Sequence, residues 1–208
     1  MTSAMVEVFD SRGSTHKARI LLDTCASANF ITESLVKKLN LEKTKTSLYI
    51  SALNNLQTTA NFLVKITIKS MYSNFRDLTL FSVPKITDLC PQEYISKEKL
   101  DIPTNLQLAD PKFYEPNSID ILLGTGPTLS LFCNNKLKIG EAIDDLYLFK
   151  TKLGWVVGGG IKSDGSLRKS KCMISDLKFD LENFWKIEEV DYDKSAITNT
   201  EQCEKHFR

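Results

Sequence analysis

Two leucines hand directly to a carboxylate in the run Leu21-Leu22-Asp23-Thr24. Burying such a charge costs several kcal/mol unless it is paired or hydrogen-bonded. A strand that ends in Asp must therefore give the carboxylate a partner or a use. The residues alone leave two readings open: a turn or helix N-cap aspartate, or a functional carboxylate carried on a core strand.

The surrounding chain reads as short strands. Residues 5–9 and 16–22 are β-prone, and Asp10-Ser11-Arg12-Gly13-Ser14 between them reads as a hairpin turn. After Asp23 the period changes: Phe30, Ile31, Leu35, Val36, Leu39 and Leu41 recur at near-helical spacing. That predicts a short helix over residues 32–39, capped by Asn29 or Thr32, with Lys37 and Lys38 where the dipole favours cations. Residues 47–50 and 62–68 predict two strands, the second with Val64, Ile66 and Ile68 on one face, and Asn54-Asn55 suits a hairpin tip between them. Residues 78–83 predict another strand.

Five of the six prolines fall in residues 84–116, which read as a long irregular connection with one helical turn around 96–100. Ile119-Asp120-Ile121-Leu122-Leu123-Gly124 is then a compact buried strand ending in glycine, and residues 146–149 and 154–160 read as closing strands. Residues 161–171 are polar and basic, as in a linker. Beyond them Leu177, Leu181, Phe184, Trp185 and Ile187 fall mostly at spacings of three and four, which predicts an amphipathic helix over 176–190. The expected organisation is a mainly β domain at 1–160 with one or two short helices, followed by a linker and helical connector at 161–208.

Composition excludes several classes. A net charge of +1 supplies no field to attract nucleic acid or an anionic membrane, and no apolar run approaches the roughly 20 residues that span a bilayer. Residues 1–10 lack the basic and apolar regions of a signal peptide, so the expected location is cytoplasmic, with neither membrane nor nucleic acid as partner. The five cysteines are odd in number and widely spaced, which argues against a disulfide framework or a zinc ribbon. Cys203 and His206 form a lone CxxH pair, so no metal site and no cofactor are expected. His16 and His206 are the two histidines, and neither lies near Cys25 to make it a nucleophile. Gly124-Thr125-Gly126-Pro127 and Gly158-Gly159-Gly160 lack the spacing of a phosphate-binding loop and read as turns.

Four segments together resemble a known family. Leu21-Leu22-Asp23-Thr24-Cys25-Ala26-Ser27-Ala28-Asn29-Phe30-Ile31-Thr32-Glu33-Ser34-Leu35 resembles the active-site segment of retropepsin-like aspartic proteases, and its Asn-Phe-Ile-Thr-Glu-Ser-Leu part is closest to the BEL/Pao retrotransposon branch. Ile119 to Gly124 is similar to the strand that passes behind the catalytic loop in that family. Lys150-Thr151-Lys152-Leu153-Gly154-Trp155 resembles the closing segment of the same branch. Leu181-Glu182-Asn183-Phe184-Trp185, continuing to Cys203 and His206, looks like its connector to reverse transcriptase.

The resemblance implies a closed β-barrel of the acid protease fold and an aspartic endopeptidase that processes a Gag-Pol-like polyprotein. The chain holds a single Asp-Thr-x segment, so a catalytic dyad would need a homodimer with one loop from each chain. In that scheme Asp23 is the catalytic carboxylate and Thr24 braces the two loops. Cys25, Ala26 and Gly124 lie along the substrate, with Ser51, Ala52 and Leu53 in a covering flap. Cys25 stands where the family carries glycine. This departure motivates a second reading, a catalytically impaired protease-like module that dimerises or binds peptide. The connector-like tail motivates the expectation that the chain is part of a longer polyprotein.

Overall fold

Alternating burial along the first strand sets the inside of the fold. In β1 (Ser3–Phe9) Ala4, Val6 and Val8 are buried while Met5 and Glu7 are half-buried, the period of two that a pleated strand imposes. A computed structural model describes residues 2–51, 57–70, 75–140 and 145–160. The expected linker, connector and Asn54-Asn55 hairpin tip lie outside the described residues.

From β1 the chain turns at residues 10–14 into β2 (Thr15–Leu22), antiparallel, with Phe9 opposite Thr15. After the Asp23 loop come β3 (Phe30–Thr32) and α1 (Glu33–Lys38), then β4 (Thr44–Ser51), β5 (Gln57–Ser70) and β6 (Phe75–Val83). A long connection with one 3-10 turn at Lys97–Lys99 leads to β7 (Ile121–Leu123). The described chain closes with α2 (Thr125–Leu131), β8 (Phe132–Ile139), β9 (Asp145–Thr151) and β10 (Gly154–Gly160).

The strands form a closed six-strand barrel, in the order β1, β2, β7, β3, β6, β5 and back to β1. Closure comes from Val8 opposite Ile68, where β5 meets β1. Ile20, Ile31, Ile68, Leu80, Ile121 and Leu123 fill the interior, each almost wholly shielded from water. Burying side chains of this size contributes roughly 1.5–3 kcal/mol apiece, and short β7 supplies two of the six. The first half of β5 pairs with β4 instead of a barrel strand, making a two-stranded arm that carries Ser51 at the end of β4.

The helix after the Asp23 loop forms where the periodicity predicts. Thr32 is its N-cap, accepting from the Leu35 N–H at 3.4 Å, with Glu33 in the first turn and Lys37 and Lys38 in the last. Asn40 ends it at φ 50°, a left-handed conformation that asparagine tolerates better than most residues.

Two expectations need correction. Gly124-Thr125-Gly126-Pro127 does not simply turn: Gly124 caps α2, and Pro127 sits in its first turn, where its missing N–H costs nothing. Gly158, Gly159 and Gly160 lie inside β10, paired with β9, so the closing-strand reading of residues 154–160 holds and the turn reading of these glycines does not. β8 is also absent from the sequence reading. Five of its eight residues are exposed, so it has no alternation to betray it, and pairing with β9 makes it a strand.

The proline-rich connection is packed. Leu100 and Phe113 join Ile139, Leu146, Leu148 and Val157 in a second apolar cluster between this segment and the β8–β9–β10 sheet. Its Asp110 is held by buried Arg19 of β2, Nε to Oδ2 at 2.6 Å, while the Arg19 guanidinium also donates to the carbonyls of Cys90, Lys112 and Glu115. Among the described residues, no helix is long and apolar enough to cross a membrane.

Candidate active site

The position of Asp23 follows from three short strands. β7 lies between β2 and β3, parallel to the first and antiparallel to the second, so the loop joining β2 to β3 must cross over the end of β7. Asp23 is the first residue of that loop, and its N–H donates to the Leu123 carbonyl at 2.9 Å. The apolar pairs Leu21-Leu122 and Leu22-Leu123 fix the register, so a carboxylate arrives beside the β7 terminus.

The loop folds around its own aspartate. Asp23 Oδ1 accepts from the N–H of Cys25 at 2.7 Å and of Ala26 at 3.3 Å, the local pattern that aspartate favours in turns. Oδ2 has no hydrogen-bond partner among the described residues, and neither has the Thr24 hydroxyl. Asp23 is half-buried, and Thr24 and Cys25 are exposed.

The junction of β7 and α2 backs the loop. Gly124 is buried, and a Cβ there would stand 2.6 Å from the Ala28 carbonyl oxygen and 2.7 Å from that of Ala26, so only glycine lets the end of β7 approach the loop this closely. Its N–H donates to Asn29 Oδ1 at 2.9 Å, while Asn29 Nδ2 donates to the Thr79 carbonyl of β6 at 3.2 Å. The Thr125 N–H donates to the Ala26 carbonyl at 2.8 Å, and its hydroxyl lies 2.8 Å from the Thr24 carbonyl oxygen and 3.0 Å from that of Ala26.

Comparison with known protein families, curated proteins and solved structures finds no match to this chain.

The fold brings Asp23, Thr24, Cys25, Ala26 and Gly124 into one place. Gly124 stands behind the loop, in contact with its carbonyls. Ser51 ends β4, and Ala52 and Leu53 lie outside the described residues. Asn29 and Thr125 were missed as site residues. Asn29 reads locally as a helix cap, and its partner Gly124 is 95 residues away. The one local signal was the polar Thr125 directly after an apolar strand and glycine.

Cys25 is a free, exposed thiol. Among the described residues other than glycine, Asn40 is the one with positive φ, so the backbone at Cys25 does not require glycine within a single chain. No group of three or more His, Cys, Asp and Glu side chains among the described residues is placed to hold a metal ion. A cleft of about 560 Å³ lies elsewhere, against β1, β2 and β5, and includes Met5, Lys17 and Lys112. Of its buried polar groups, Arg19 and Asp110 already satisfy each other.

Proposed function

We propose that this chain is an aspartic endopeptidase of retropepsin type, active as a homodimer with one Asp23 loop from each chain. The observation that carries the reading is the state of the Asp23 carboxylate: one oxygen is anchored by two loop amides and the other is without a partner among the described residues. An anchored carboxylate with one unengaged oxygen can exchange a proton while keeping its orientation. The setting supports the same reading, because the loop crosses the end of an inserted apolar strand that terminates in a close-packed glycine. The substrate class is a polypeptide, and the family resemblance points to a Gag-Pol-like polyprotein.

In this scheme two Asp23 carboxyls face each other across a two-fold axis and share one proton, since two adjacent carboxylates cannot both ionise. The ionised carboxylate takes a proton from water as the water oxygen bonds to the peptide carbonyl carbon. The protonated one donates to the carbonyl oxygen, giving a tetrahedral diol. Collapse of the diol breaks the C–N bond, with a proton passing to the leaving nitrogen. The exposed Thr24 hydroxyl is available to bond across the interface. Incubating the full chain with a polyprotein fragment at mildly acidic pH, beside Asp23→Asn, tests this. Cleavage lost in the variant supports the reading; equal cleavage by both removes Asp23 from the mechanism.

One observation favours a second reading, a protease-like module that dimerises or binds peptide without cutting it. The Cys25 side chain occupies an exposed position on the loop, where a partner chain or substrate would approach. If Cys25→Gly created pepstatin-sensitive cleavage that the natural chain lacks, this second reading would stand.

A further inference from the structure

A single peptide group connects the start of α2 to the Asp23 carboxylate. The Thr24 carbonyl and the Cys25 N–H are opposite ends of one planar, trans unit, so fixing one end fixes the direction of the other. The Thr125 hydroxyl lies 2.8 Å from the carbonyl end. At the other end the N–H donates to Asp23 Oδ1 at 2.7 Å. We propose that Thr125 is a positioning residue, whose hydroxyl aims the Thr24–Cys25 peptide and through it the carboxylate of Asp23.

The surrounding bonds suit this role. The Thr125 hydroxyl has one proton and two carbonyls in reach, those of Thr24 and Ala26. Ala26 already accepts the Thr125 N–H at 2.8 Å, which leaves Thr24 as the carbonyl that needs the hydroxyl. Thr125 is itself seated at the first position of α2, whose next turn is tied back by the Thr128 hydroxyl donating to the Leu123 carbonyl at 2.8 Å. The donor therefore stands on the strand-helix junction that backs the loop, and not on the loop it orients. The expected effect on rate rests on the protease reading; the effect on the peptide does not.

An aspartate can close such a turn unaided, and that is the competing account. Amide exchange and proton shift at Cys25, measured by NMR on the full chain, separate the two. With Thr125→Val the Cys25 amide should exchange about tenfold faster and its proton resonance should move upfield, while Thr125→Ser should keep both at natural values. Thr125→Ala repeats the test with a smaller side chain should valine disturb folding. Unchanged Cys25 exchange in the variants lacking the hydroxyl overturns the proposal, because the turn then needs no outside donor. If the chain cleaves peptide, kcat should fall about tenfold in Thr125→Val with KM within about twofold, and serine should restore it. A natural chain that cuts nothing counts against the protease reading alone, and the Cys25 amide still decides the role of Thr125.

Discussion

Asp120 and Arg19 hold each other through two hydrogen bonds, the Asp120 N–H donating to the Arg19 carbonyl and the Arg19 N–H donating to Asp120 Oδ2, both at 2.9 Å. This clasp joins the entry of β7 to β2, one residue before Ile20 and Ile121 begin their parallel pairing. A one-residue slip there would turn every β7 side chain to the opposite face and carry Gly124 away from the loop. The clasp thus pins the register that sets Asp23 beside the end of β7.

Burial pushes the Asp120 carboxyl above the usual carboxylate range, against the Arg19 amide and the charges of Lys38 and Arg19, which favour the anion. A folded-state value above the unfolded one means the native state prefers the neutral acid. The cost to stability is absent below the ordinary carboxylate pKa of about 4. It grows as pH rises and is complete above the raised value. Asp120→Asn keeps an oxygen acceptor without the charge. It should equal or exceed the natural chain in thermal stability at neutral pH, with the advantage shrinking toward pH 3. Asp120→Ala strands the Arg19 N–H and should cost about 1 kcal/mol or more.

Asp110→Ala should be among the most damaging single changes. Arg19 and Asp110 side chains are 4% and 1% exposed, so removing the carboxylate leaves a buried guanidinium without its counter-charge. Breaking such a pair costs about 3–5 kcal/mol. The same change also removes the acceptor for the Ser3 hydroxyl, 2.7 Å away. Denaturant unfolding followed by tryptophan fluorescence should show an earlier midpoint, with loss of protease protection across residues 84–116.

Gly124→Ala should separate loop geometry from gross folding. The added methyl meets backbone carbonyls at 2.6 and 2.7 Å, which cannot swing aside as a long side chain would. The strain is expected at about 1–3 kcal/mol, concentrated at Ala26 and Ala28. Amide shifts in residues 23–29 should move while those of β9 and β10 hold. Any peptidase activity should fall by more than the stability change predicts.

Asn29→Leu, with the same number and branching of side-chain heavy atoms, should strand the Gly124 N–H and cost about 1–3 kcal/mol. Asn29→Asp keeps the acceptor for Gly124 and loses the donor to Thr79, so it should be the milder of the two. Urea midpoints of the two variants check the order, and equal losses would mean that the Thr79 bond carries the effect.

The parts legible in the sequence were those with a local cause. Val64, Ile66 and Ile68 alternate because one face of β5 is buried, and the Thr32 cap precedes an apolar stripe with helical spacing. α2 was hidden by Gly126 and Pro127, which read as turn residues unless the start of a helix is already known. β8 was hidden because both its faces are largely exposed and its partner supplies its hydrogen bonds.

By itself the sequence determined where most of the strands run, that Asp23 leaves the end of an apolar one, and that a glycine ends another about a hundred residues later. Those are properties of nearest neighbours and short periods. Only the tertiary structure decided that β7 inserts between β2 and β3, that Gly124 touches Ala26 and Ala28, and that Asn29 and Thr125 reach the loop. Such contacts depend on register across distant strands, set by the packing of a closed barrel, which no local pattern encodes.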